Sequence, residues 1–191
     1  MKTRDQGKLT PYDQTTVQDI LNGITALAQF LEKNSVPVDP SPEDLYIYLT
    51  KMKQIQRNAS IAVSRVSCVL AKKYLDAHLE MKPFNATEKN PSAKGLDIDE
   101  CTVADERVIG EIKATAPCGA KGLGGQRDLG GEQKAKFEDD FHKLHTIPAK
   151  HRFFFVTERD TFTLMKRPKY TQQMPGVRVV LLPGGDETFT A

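Results

Sequence analysis

The hydrophobic period of this chain changes near residue 95, and that change restricts the fold more than any other feature. Before it, apolar residues recur at helical spacing. Val17, Ile20, Leu21, Ile24, Leu27, Ala28 and Leu31 follow a Thr15-Thr16 start and predict a first helix. The run Val36-Pro37-Val38-Asp39-Pro40 ends it, because proline disfavours continuation. Ser41-Pro42-Glu43-Asp44 supplies an N-cap, a proline at the first helical position and an acidic first turn. Leu45, Tyr48, Leu49, Met52 and Ile55 would form the apolar face of that second helix. A third is expected from Asn58 to His78, with Val63, Val66, Val69, Leu70 and Tyr74 inward. No internal repeat is visible.

After a polar loop from Pro83 to Lys94, the pattern becomes strand-like. Leu96-Asp97-Ile98-Asp99 alternates apolar and acidic residues, and Arg107 to Thr115 keeps the same period. Thr102 to Glu106 is short enough to join them as an antiparallel hairpin. Six glycines between Gly119 and Gly131 mark a loop. Glu132 to His145 returns to helical spacing with Phe137, Phe141 and Leu144 on one side, while Asp139 and Asp140 are expected to face water. Phe153 to Val156 and Val177 to Leu182 read as buried strands. The order predicts a mixed α/β (α+β) domain, with a helical N-terminal subdomain at 1–58 and a core at 59–191.

Composition excludes several classes. A chain of 191 residues with 39% apolar and 27% charged residues is neither fibrous nor wholly disordered, and its length suits about one domain. Its longest apolar runs fall far short of the roughly 18 residues that span a bilayer. Met1 to Gln14 is polar and lacks an apolar h-region, so no signal peptide and a cytoplasmic, membrane-free protein are expected. Three cysteines without a CxxC pair argue against a disulfide framework or a four-cysteine zinc site. A net charge of +2 does not separate a nucleic-acid binder from an ordinary enzyme, so any functional charge must be local.

The hairpin carries the chemistry. Asp97 and Asp99 share one strand face, as do Glu111 and Lys113. A turn centred near Ala104 places Asp97 opposite Glu111, with Cβ atoms roughly 5 Å apart. Opposed carboxylates repel unless a cation lies between them, and oxygen-only ligation suits Mg²⁺, which keeps waters for substrate phosphates. A register one pair different would make Asp99 the closer partner of Glu111. Lys113 would lie beside the ion. That set suits phosphodiester hydrolysis: the ion polarises a phosphoryl oxygen and acidifies a water, and the lysine orients that water or offsets transition-state charge. The plain alternative is the solvated face of an ordinary hairpin with cross-strand ion pairs.

These residues resemble the PD-(D/E)xK nuclease superfamily, which includes many restriction endonucleases. Asp97 matches the metal-binding aspartate, with Leu96 where a proline often stands, and Glu111-Ile112-Lys113 matches the ExK half. The resemblance covers roughly Ser60 to Leu182. The stretch from Gly95 through Glu111-Ile112-Lys113-Ala114-Thr115 to Gly131-Glu132-Gln133-Lys134 is similar to small restriction-endonuclease-type proteins of prokaryotes. It implies a mixed central sheet flanked by helices and a Mg²⁺-dependent endonuclease, with Mn²⁺ as a substitute ion. The substrate would be double-stranded DNA, cut to leave a 5′-phosphate. It further implies a homodimer whose two-fold axis matches a palindromic target.

Other residues are weaker candidates. Gln133 begins a helix near the implied active site and is a candidate substrate contact, with a solvated first turn as the alternative. Lys121, Gln126, Arg127 and Lys134 could reach phosphates or bases, as could the basic connector carrying Arg159, Lys166, Arg167 and Lys169. The glycine-rich loop lacks a Gly-Lys-Ser/Thr phosphate signature, and His142, His145 and His151 lack the partners of a zinc site. Two other function classes stay open: a non-catalytic DNA-binding protein of nuclease-like fold, and a helical oligomerisation or adaptor protein.

Overall fold

A computed structural model describes residues 9–33, 41–89, 94–120 and 127–191. Two long helices come first, α1 (Pro11–Lys33) and α2 (Pro42–His78). Thr10 Oγ1 accepts the Asp13 N–H (3.1 Å) at the start of α1, upstream of the expected Thr15-Thr16 start. Ser41 caps α2 as its sequence requires. Its hydroxyl accepts the Asp44 N–H at 3.1 Å, and the Asp44 carboxylate accepts the Ser41 N–H at 3.2 Å.

The expected second and third helices are one 37-residue element. No glycine or proline interrupts residues 43–82. The hydroxyls of Ser60, Ser64 and Ser67 turn back onto the carbonyls of Gln56, Ser60 and Val63. Such back-bonding lets serine sit inside a helix without ending it. The boundary expected at residues 58 and 59 therefore falls inside α2, whose N-terminal half pairs with α1 and whose C-terminal half joins the core. Val63, expected inward, is exposed.

The core is a five-stranded sheet in the order β1-β2-β3-β4-β5. β1 (Ile98–Cys101) and β2 (Arg107–Lys113) form the hairpin; β3 (His151–Val156) and β4 (Arg178–Leu181) run parallel to β2. A short antiparallel strand, β5 (Thr188–Thr190), closes the far edge and has no counterpart in the sequence reading. Helix α3 (Gly131–Thr146) links β2 to β3. The connector expected as a basic loop contains α4 (Arg159–Met165) and α5 (Pro168–Thr171), which link β3 to β4.

Both faces of the sheet are covered. Phe137, Phe141 and Leu144 of α3, with Phe162, Leu164 and Met165 of α4, pack on the face that carries Ile109, Phe154 and Val179. Ala71, Tyr74 and Leu75 of α2 pack on the face that carries Ile98, Phe153 and Phe155. This double burial explains the unbroken Phe153-Phe154-Phe155-Val156 run, since a central parallel strand has no solvent face. Gly110 suits its place in β2. A Cβ there would stand 3.3 Å from Ile98 Cδ1 and 3.4 Å from Phe155 Cε2, tight against the α2 layer.

The two-helix arm buries less. Tyr46, Leu49, Ile24, Ile47 and Leu21 are all exposed. Between α1 and α2 lies an apolar hollow of about 520 Å³, lined by Ile20, Leu27, Phe30, Ile55 and Ala62 among others. One polar tie anchors α1 to the core side. Buried Asp13 accepts the Thr87 N–H (3.3 Å) and hydroxyl (3.1 Å), and Thr16 shares a hydroxyl hydrogen bond with Thr87 (3.1 Å). Among the described residues no helix is long and apolar enough to cross a membrane.

Candidate active site

The hairpin adopts the register expected for it. Its turn is closed by Thr102, whose N–H meets the Glu106 carbonyl (2.9 Å) and whose hydroxyl accepts the Glu106 N–H (3.1 Å). Asp105 takes the left-handed conformation there (φ 60°), which Asp tolerates better than most side chains. The last ladder pair is Ile98 with Gly110, so one further step faces Asp97 towards Glu111. Asp97 takes the place of the next rung itself: its Oδ2 accepts the Ile112 N–H at 2.8 Å.

Glu111, Lys113 and Asp97 line one cleft of about 190 Å³. It opens at the C-terminal end of β2, where crevices of parallel sheets commonly hold ligands. Ser64 and Cys68 of α2 close one side, and Asp140 and Lys143 of α3 the other. The cleft shares Lys113 with a hollow of about 440 Å³ beside the start of α3. It shares Cys68 and Asp97 with one of about 320 Å³ beside residues 84–89.

Asp140 corrects the sequence reading, and Lys143 was missed by it. Asp140 was expected to face water but is only 4% exposed. It lies three residues after Phe137 and four before Leu144, inside the apolar stripe of α3; that position was the available signal. Lys143, one helical turn further on, donates to Asp140 Oδ1 (2.9 Å), Glu111 Oε1 (3.2 Å) and the Gly95 carbonyl (3.3 Å). Lys113 forms an ion pair with Asp140 Oδ2, outside hydrogen-bond geometry, and its ammonium lies 5.7 Å from the Phe137 ring centroid. The cleft thus gathers three acids and two lysines.

Electrostatics follow from that crowding. Burial pushes the Glu111 carboxyl up to about 8; the Asp97 and Asp140 charges push the same way, and Lys143 opposes them. Burial likewise drives the Cys68 thiol up to about 12, with Asp97 and Asp13 adding to it, so this thiol is a poor nucleophile. Partial burial pulls Lys143 down, but its bond to Asp140 and the Glu111 charge outweigh that and leave it above its ordinary value.

The oxygen donors fit a hard divalent ion. A buried carboxylate beside two others is a place that further positive charge would relieve. Among the described residues no three His, Cys, Asp or Glu side chains form a ready-made centre. Asp97 and Glu111 could offer two carboxylates to such an ion, leaving waters to complete its shell.

No protein-family model, curated protein or solved structure matches this chain.

Asp99 does not join the cleft. It is held by Arg107 through bonds of 2.8 and 2.9 Å, and that guanidinium keeps its carboxyl below the usual range. Gln133 lines the 440 Å³ hollow, but its amide is occupied by backbone. Its Oε1 accepts the Cys118 N–H (3.1 Å), and its Nε2 donates to the Ala116 carbonyl (2.9 Å). It brackets the segment after β2 against the start of α3.

Lys121 and Gln126 lie outside the described residues. Arg127 is exposed, and exposed Lys134 pairs with Glu138 at 3.6 Å. The basic connector is largely compensated. Arg159 pairs with Glu187, Lys169 and Arg167 meet Asp128, and the Lys166 ammonium lies 4.5 Å from the Phe162 ring centroid. Helix formation folded its charges onto neighbours, which a reading of the segment as an open loop could not foresee. His142 and His145 are exposed, and His151 bonds Glu106 at 3.0 Å.

Proposed function

We propose that this protein is a Mg²⁺-dependent endodeoxyribonuclease of restriction-endonuclease-like fold acting on double-stranded DNA, with Mn²⁺ as a substitute ion. The observation that carries the reading is the meeting of Asp97, Glu111 and Lys113 in one cleft at the end of β2. The order of elements supports it as well: a hairpin bearing both halves of the motif, a helix, then a parallel strand beside the second half.

Asp97 and Glu111 would hold the ion, which when bound supplies charge to a phosphoryl oxygen and acidity to a water. Glu111 enters this role by losing its proton. Asp97 is already aligned by the Ile112 N–H. Lys113, steadied by Asp140 and resting on Phe137, presents an ammonium that orients the attacking water or offsets charge on the phosphorane. The compensated connector leaves the 440 Å³ hollow beside Lys113 as the better route for a phosphate backbone than the Arg159–Lys169 segment, since the 320 Å³ hollow carries Glu88, Asp97 and Glu100. We further propose a homodimer that joins through the α1/α2 arm, whose exposed Tyr46, Leu49 and Ile47 would be covered by a second copy.

Purified protein with Mg²⁺ or Mn²⁺ should nick or linearise plasmid DNA, and Glu111→Ala and Lys113→Ala should not. Intact plasmid with folded wild-type protein and either ion would sink the catalytic reading. One observation favours the non-catalytic alternative: Lys113 and Lys143 already balance much of the acidic charge without any ion. DNA binding that survives Glu111→Ala, with no cleavage by wild type, is the outcome that reading expects. Light scattering reports the dimer, and Tyr46→Glu with Leu49→Glu should return it to monomer.

A further inference from the structure

Lys143 occupies its position as a small cation would. Its ammonium is surrounded by three oxygens from three parts of the chain: Asp140 Oδ1 on α3, Glu111 Oε1 on β2 and the Gly95 carbonyl before β1. The two ends of the Glu111 contact differ in freedom. The Glu111 side chain is 3% exposed and rises from a paired strand, whereas the Lys143 side chain is 34% exposed and reaches in on a flexible stem from a helix. If one partner is to move, it is the lysine.

We propose that Lys143 is a resident counter-ion that competes with the divalent cation for Glu111 and so sets the ion concentration at which the cleft fills. The inference rests on the reading of Asp97 and Glu111 as a divalent-ion site. An ammonium 3.2 Å from Glu111 Oε1 and a metal ion bound to the same carboxylate would stand close enough to repel strongly in a partly buried cleft. One of them has to give way. Asp140 makes the exchange feasible. It lies three residues before Lys143 on the same helix and holds the ammonium by a shorter bond, 2.9 Å, than Glu111 does. On ion binding Lys143 gives up Glu111 and keeps Asp140, so the displaced charge stays paired.

The test is Mn²⁺ binding to the full chain at pH 8.5 without DNA, followed by the loss of the free-ion electron paramagnetic resonance signal. Lys143→Met should tighten Mn²⁺ binding about tenfold, because the competitor is gone. Lys143→Ala should move the same way, which guards against a fault peculiar to methionine. Lys143→Arg keeps the charge and should bind no tighter than wild type. Lys136→Met, which removes one charge from the exposed side of the same helix, should stay within about twofold of wild type if the effect is contact competition rather than net charge. Glu111→Gln should abolish the site. Binding that Glu111→Gln removes but the Met and Ala variants fail to tighten overturns the counter-ion role alone. If no variant shows Mn²⁺ binding that depends on Glu111, the divalent-ion reading itself falls, and the inference with it.

Discussion

Asp97 Oδ2 accepts the Ile112 backbone N–H at 2.8 Å, so a carboxylate assigned to the cleft also serves as the last rung of the hairpin ladder. A structural bond and a proposed chemical role meet in one side chain, and substitutions can separate them. Asparagine can still accept the N–H, whereas alanine cannot. Asp97→Asn should stay within about 0.5–1 kcal/mol of wild type in urea denaturation, and Asp97→Ala should lose about 1.5–3 kcal/mol. Both should lose cleavage. Equal stability of the two variants would show that the bond contributes little.

Glu111 carries a stability cost that depends on pH. In the unfolded chain its carboxyl titrates in the ordinary range, near 4.5; in the folded protein it is raised to about 8. Between those values the folded state keeps a proton that the unfolded state has released. The contribution is therefore fully present below pH 4.5 and is lost as pH rises through 8. Glu111→Gln removes this dependence. Its melting temperature should exceed that of wild type at pH 8.5 and match it closely at pH 5, a gain of roughly 1–3 kcal/mol at the higher pH. A gain of equal size at both pH values would point to packing instead of charge.

The same titration sets the direction of ion binding. Divalent ions require the deprotonated carboxylate, so Mn²⁺ should raise the melting temperature more at pH 8.5 than at pH 6. The shift should vanish in Glu111→Gln. Differential scanning calorimetry at fixed ionic strength reads both effects, and an ion effect that is independent of pH would speak against Glu111 as the ligand.

Asp140 is expected to matter through the lysines it holds. Asp140→Asn keeps the volume but weakens both ion pairs, Lys113 on one oxygen and Lys143 on the other. Because the lysines are partly exposed, the stability loss should be about 1–2 kcal/mol, below that of a fully buried pair. Cleavage should fall by at least about tenfold, since Lys113 loses its anchor, and the pH optimum should move down, since the Asp140 charge no longer raises Glu111. An unchanged pH profile would leave Asp140 a purely structural residue.

The Gln133 amide joins Ala116 and Cys118 to the start of α3. Gln133→Ala should lower stability by about 1 kcal/mol and speed amide exchange at Cys118, while Gln133→Glu should retain the Cys118 bond and lose the one to Ala116. Hydrogen-exchange mass spectrometry over residues 114–120 distinguishes these outcomes.

Much of the hairpin was legible because its information is local. Strand alternation, a short turn and the position of Ala104 were enough to set Asp97 against Glu111, since antiparallel register follows from turn length. The Ser41 cap, the helix ending at Thr146 and the twice-buried Phe153–Val156 strand were legible for the same reason. The three-helix reading of the N-terminal half failed at Asn58 to Ser60. Asn58 and Ser60 are weak helix formers, but with Ala59 between them, the Ser60 hydroxyl satisfied by the Gln56 carbonyl and no proline present, they did not end α2.

What local pattern could not supply was the company each charge keeps. Asp140 and Lys143 are separated from Glu111 by a glycine-rich stretch of sequence and most of a helix, and only the packing of α3 on β2 brings them to its carboxylate. The same holds for Arg159 with Glu187 and for Lys169 with Asp128, pairs that leave the basic connector without the open charge its sequence suggests. Spacing along a strand or helix decides which residues share a face, because backbone geometry repeats over a few residues. Burial and long-range pairing decide how those residues are charged, and they exist only once distant elements pack.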